Sequence, residues 1–175
     1  MSACGITCKC NYNTGIFLYL NDGAGGFSAV ADPVLNERVN THSGFASGDI
    51  DGDGDIDVAI GNWGDTHEGE FVTLLTNVSA ACGRSVRLQL RNRYGAIDPI
   101  GARVTLVSRG HAGERRQVRE VSAQSGWRSQ SASAFLFGVP TGERLLRAEV
   151  RWPDGRTQTV TDLQINDLNR IDEIS

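Results

Sequence analysis

Asp49-Ile50-Asp51-Gly52-Asp53-Gly54-Asp55-Ile56-Asp57 places a carboxylate at every second position, five times in a row. Two carboxylates about 4 Å apart repel by roughly 1 kcal/mol in bulk water and about 4 kcal/mol at an effective dielectric of 20. A plain solvated turn needs one or two such residues, not five. A hard cation removes the conflict, and calcium takes six to eight oxygens in flexible geometry. In an Asp-x-Asp-x-Asp-Gly loop the first, third and fifth positions supply side chains, and a glycine follows for the sharp turn. Here these are Asp49, Asp51, Asp53 and Gly54. Asp55 is expected to offer its backbone carbonyl, and Asp57 a side chain, directly or through water.

The flanks separate this loop from an EF-hand. The twelfth position, which would need a bidentate Glu, is Ile60. Gly44-Phe45-Ala46-Ser47-Gly48 precedes the loop and Val58-Ala59-Ile60-Gly61 follows it, and neither starts a good helix. The loop is therefore expected to join two strands.

Working outward, short β-like runs recur between Gly-rich turns. Ile16-Phe17-Leu18-Tyr19-Leu20 and Phe27-Ser28-Ala29-Val30 flank Asn21 to Gly26, whose residues tolerate positive φ. Phe71 to Thr76 is a further run, and no segment shows a helical period. After the small polar stretch Asn77 to Ser85 the alternation sharpens. Val86, Leu88 and Leu90 alternate with Arg87, Gln89 and Arg91, and Ala148, Val150 and Trp152 alternate with Arg147, Glu149 and Arg151. Period two with one apolar and one charged face marks antiparallel sheets wet on one side. Trp152-Pro153-Asp154-Gly155-Arg156 reads as a turn between strands. The expected fold is all-β: short strands joined by Gly-rich turns and carrying the acidic loop over residues 1–80, then a small antiparallel sandwich or barrel over 81–175.

Two resemblances rest on these residues. The Asp49–Asp57 loop, with Phe45 and Gly48 before it and Val58-Ala59 after it, resembles the FG-GAP (VCBS-type) repeat of integrin α-like β-propellers, in which the acidic loop binds calcium. Leu18 to Phe27 looks like the closing hairpin of a preceding repeat. From Val86 to about Ile174 the chain resembles the ASPIC/UnbV domain of cartilage acidic protein-like and bacterial secreted proteins. The matching segments are Gly101 to Val104, Gln117 to Val121, Ser125 to Gln130, Phe137 to Val139 and Val150 to Arg156. It departs from that pattern over Tyr94 to Ile100, which looks longer, and at Trp127, where Tyr is common. The resemblance implies partial β-propeller blade(s) over residues 1–80, and a secreted, calcium-binding module of adhesive or carbohydrate-associated type.

The function expected is a calcium-stabilised extracellular or cell-surface binding and adhesion module without catalysis. The alternative is a glycan-targeting accessory domain of a secreted carbohydrate-active enzyme. The metal ligands expected are Asp49, Asp51, Asp53, Asp55 and Asp57, with Ca2+ as the cofactor. A formal charge of −4 argues against nucleic acid as a partner, and no apolar run is long enough to cross a bilayer. An unidentified protein or glycan is the expected ligand. One complete repeat cannot close a propeller, so packing with upstream repeats, packing on the sandwich or self-association is expected to cover its faces. Met1 to Gly5 lacks the apolar core of a signal peptide, which fits either a cytosolic protein or part of a longer secreted chain, and the resemblance implies the second.

Other groups carry blander readings. Cys4, Cys8, Cys10 and Cys82 lack paired C-x-x-C knuckles, leaving disulfides, free thiols or zinc open. Asp65, His67, Glu68 and Glu70 read as a solvated loop. Arg87, Arg91, Arg93, Arg115, Arg116, Arg119, Arg147 and Arg151 form either a basic face for an anionic glycan or the wet face of an amphipathic sheet. Trp63 and Trp127 are candidate sugar platforms, and Trp152 is expected in the core. No nucleophile elbow or glycosidase-like carboxylate pair is present.

Overall fold

The computed structural model describes residues 17–31, 42–62, 72–78, 83–124, 126, 129–131 and 134–174. Twelve strands and no helix occur among the described residues. Strands β1 (Leu18–Asn21) and β2 (Phe27–Val30) form a hairpin, paired from Leu18↔Val30 to Asn21↔Phe27. Its turn is self-sufficient. Asp22 Oδ1 accepts from Ala24 N at 2.7 Å and Gly26 N at 2.9 Å, which holds the Asp22 carboxyl below its ordinary range.

Strands β3 (His42–Gly48), β4 (Asp57–Asn62) and β5 (Val72–Leu75) make an antiparallel three-stranded sheet in the order β3-β4-β5. Registers Phe45↔Ile60↔Thr73 and Ser47↔Val58↔Leu75 place these residues on one face, where Val58, Ile60 and Thr73 are buried. On the other face Val72 and Leu74 stand in solvent behind the small residues Gly44, Ala46, Ala59 and Gly61. The sheet is open, and it carries the acidic loop between β3 and β4, the strand junction expected from the flanking residues.

The remainder is a two-sheet sandwich. One sheet orders β11 (Thr157–Val160), β10 (Arg144–Arg151), β7 (Arg103–Gly110) and β8 (Gly113–Glu120), all antiparallel. The other orders β12 (Leu168–Asp172), β6 (Arg84–Arg91) and β9 (Phe135–Val139), and there β12 runs parallel to β6. Neither sheet closes. Both contribute alternate residues to one core: Val86, Leu88 and Leu90 from β6, Val104 and Leu106 from β7, Phe137 and Val139 from β9, Ala148 and Val150 from β10, and Ile171 from β12. Trp152 closes this core, with its indole N–H donated to Gln158 Oε1 at 3.2 Å. The expected turn after it forms through Trp152 N to Arg156 O at 2.8 Å, with Gly155 at φ +89°.

Many outward residues are charged, and several of them pair. Arg91 grips Asp172 through two hydrogen bonds of 2.7 and 2.9 Å. Arg116 and Arg147 converge on Glu149, and Arg115 meets Glu143 at 3.1 Å. Val107 is buried although it lies on the outer face, flanked in register by Arg116 and Arg147, whose aliphatic stems suit such cover. Arg119 instead lies 5.4 Å over the Phe137 ring. Several of the strand arginines are thus engaged within the fold. The four cysteines, Trp63, Trp127, Asp65, His67, Glu68 and Glu70 lie outside the described residues.

Candidate metal centre

The acidic loop is clamped at its base by the Gly48↔Asp57 pair, where β3 ends and β4 begins. Between them Gly52 and Gly54 take φ of +84° and +94°, which an L side chain rarely adopts. These two reversals curl the chain back on itself between the strand ends. Three of the loop carboxylates accept from the loop's own backbone. Asp49 Oδ1 takes Gly52 N at 2.8 Å, Asp51 Oδ1 takes Asp53 N at 3.2 Å, and Asp53 Oδ1 takes Asp55 N at 2.9 Å.

Asp57 is the anchor of the arrangement. It is completely buried, yet both carboxylate oxygens are engaged: Oδ2 accepts from Ile50 N and Oδ1 from Asn77 N, each at 2.8 Å. Buried polar groups require such partners, and charge-assisted bonds to backbone N–H groups are among the stronger ones. The first bond ties the entry of the loop to its exit. The second ties the loop to the segment after β5.

Asp49, Asp51 and Asp57 each bring one ligand oxygen to within 4.8 Å of the others. Of the five expected ligands, these three converge. Asp53 and Asp55 are not in the group: Asp53 is exposed and Asp55 is buried. Three anionic oxygens, with no sulfur or nitrogen among them, suit a hard divalent cation of the calcium type.

A fourth participant comes from elsewhere in the chain. Arg87 of β6 donates Nη1 to Asp49 Oδ2 at 3.1 Å, with the Asp49 side chain only 5% exposed. The tip of the loop also lies against β6: a Cβ added at Gly54 would meet Ser85 Oγ at 2.6 Å. Ser47 reaches the sandwich as well, with its hydroxyl 3.1 Å from Ser131 Oγ. Beside these contacts runs a cleft of about 710 Å³, with Phe45, Asp49, Arg87, Arg119 and Phe135 in its wall. Arg87 was legible in the sequence only as an outward member of an alternating strand, and nothing in the pattern paired it with Asp49. Among the histidines, the side chain of His111 is described, and it is exposed between β7 and β8.

An open blade whose central hairpin carries an acidic loop, followed by a β-sandwich, defines an all-β repeat-type protein with an appended sandwich domain. Residues 6–60 match the FG-GAP-like repeat, and residues 94–175 match the ASPIC and UnbV family. The two matches fall in the order read from the sequence, the FG-GAP-like repeat first and the ASPIC/UnbV domain after it. No curated protein matches the chain. FG-GAP-like repeats often bind calcium and typically occur in extracellular proteins, so the pair suggests an extracellular-type module. No helix among the described residues is long and apolar enough to cross a membrane.

Proposed function

We propose that the chain is a calcium-stabilised extracellular binding or adhesion module in which the ion has a structural role. The observation that carries this reading is the convergence of Asp49, Asp51 and Asp57 in the hairpin loop of an FG-GAP-like repeat. Asp49, Asp51 and Asp57 would hold the ion, which supplies positive charge at the junction of β3 and β4. Three carboxylates facing one guanidinium leave a formal excess of two negative charges (−3 + 1 = −2), which one divalent cation offsets. No catalytic role is proposed. The least exposed of the ion-paired carboxylates, those of Asp49, Glu143 and Glu173, are each engaged by an arginine, which suits structural pairing rather than proton transfer. The partner proposed is a protein or glycan of the extracellular matrix or cell surface.

Thermal unfolding in calcium and in chelator tests the reading. Calcium at about 100 times its dissociation constant adds roughly 2.7 kcal/mol, a shift of several degrees for a chain of this size. Identical melting in both buffers, or an unaltered shift in Asp51→Asn, sinks the assignment.

A further inference from the structure

We propose that Arg87 is a built-in counter-cation of the acidic loop, which lowers the loop's affinity for its divalent ion and couples that ion to the sandwich. This rests on the calcium reading of the loop and adds to it the residue that regulates the site.

The placement of Arg87 follows from β6. Val86 and Leu88 point into the core and are fully buried, so the residue between them must point outward. On that side lies the loop, and the guanidinium closes on Asp49 Oδ2 at 3.1 Å. The strand holds Arg87 firmly. Its N–H donates to Asp167 O at 3.1 Å, and β12 pairs alongside at Leu168↔Arg87. Ser85, two residues earlier, abuts Gly54 at the loop tip. Among the described residues, no other arginine or lysine forms an ion pair with Asp49, Asp51 or Asp57.

Two consequences have the same sign. Without the ion, Arg87 relieves part of the repulsion among Asp49, Asp51 and Asp57, so an arriving cation has less conflict left to remove. With the ion, the guanidinium repels a charge of two, and Coulomb energy scales with the product of the charges. The opposing effect is the fixing of one short side chain, Asp49, whose rotamer freedom is small. Arg87 therefore weakens binding. Coupling of this kind is reciprocal: loading the loop loosens the Arg87–Asp49 pair by the same factor.

Calcium chloride titrated calorimetrically into the wild-type chain, Arg87→Gln and Arg87→Lys tests this. Gln keeps a donor for Asp49 and loses the charge, whereas Lys keeps the charge. Arg87→Gln is expected to bind calcium about tenfold more tightly than wild type, and Arg87→Lys within about twofold of it. Equal or weaker binding by Arg87→Gln overturns the role of Arg87 while leaving the calcium site standing. Binding by Arg87→Lys as tight as by Arg87→Gln overturns it too. Absence of calcium binding in all three chains overturns the site and the regulator together. If Arg87→Gln is unfolded in chelator, folding on addition of calcium supports the proposal, and a chain still unfolded in saturating calcium refutes it.

Discussion

Asp57 and Asn77 lie twenty residues apart, yet the buried Asp57 carboxylate accepts the Asn77 backbone N–H at 2.8 Å. The same carboxylate accepts Ile50 N, so one side chain joins the start of the loop, the start of β4 and the exit from β5. Asp57 is thus both a candidate ligand and a structural acceptor, and the two roles separate experimentally. Asp57→Ala leaves two backbone donors without their acceptor and is expected to cost about 2–4 kcal/mol. That loss persists in chelator. Asp51→Ala, whose side chain accepts only within the loop, is expected to remove the calcium-dependent gain and change stability in chelator by less than about 1 kcal/mol. Chemical denaturation of both variants, with and without calcium, reads the difference.

Gly54 combines φ of +94° with Ser85 Oγ at 2.6 Å from where a Cβ would stand. Gly54→Ala therefore meets backbone strain and a steric clash together, and is expected to destabilise by about 1–3 kcal/mol. Gly52, at φ +84° with open space around it, meets the strain alone. Gly52→Ala should cost less, and a larger loss there than at Gly54 would show that contact with β6 contributes nothing.

Leu88 is fully buried in the sandwich core, whereas Val118 on β8 is 38% exposed. Leu88→Ala is expected to cost about 2–5 kcal/mol, a large share of the roughly 5–15 kcal/mol that holds a domain together. Val118→Ala should stay within about 0.5 kcal/mol, as surface substitutions do. Urea midpoints of the two variants provide the check.

Acid sensitivity follows from the surface pairs. Arg116 and then Arg147 hold the Glu149 carboxyl below its ordinary value of 4.5 by hydrogen bonding. Arg91 does the same for Asp172, and the Arg156 N–H, followed by its guanidinium, for Asp154, both below 3.8. A carboxylate depressed in the folded state contributes stability that is present above its unfolded value and lost as pH falls through the folded one. Melting temperature should therefore be flat from neutrality to about pH 5 and fall progressively below about pH 4. Because these groups are exposed, each contribution is small and salt-sensitive, and Glu149→Gln should flatten the acid limb only slightly. A melting temperature that rises on acidification through this range would contradict the pairing.

Much of this was readable before any coordinates, because it depends on local chemistry. Alternation at Val86-Leu88-Leu90 and Ala148-Val150-Trp152 declared a strand and its buried face, since a pleated chain sends successive side chains to opposite sides. Turn residues at Asn21 to Gly26 and at Trp152 to Arg156 declared their reversals through left-handed glycines and short Asx acceptors. Strand pairing was less accessible. That β12 lies parallel to β6, and β9 on the other side, depends on which long-range pairings bury the common core. No local pattern carries that information.

The acidic loop divides in the same way. Five carboxylates at alternate positions by themselves determined that negative charge is concentrated at a strand junction, because repulsion at that spacing follows from composition alone. Only the tertiary structure decided which carboxylates converge, that Asp57 is buried as a backbone acceptor, and that Arg87 supplies a positive charge from 38 residues away. The physical reason is that Coulomb energy and desolvation depend on distance and burial, and the fold sets both once β6 comes to lie beneath the loop.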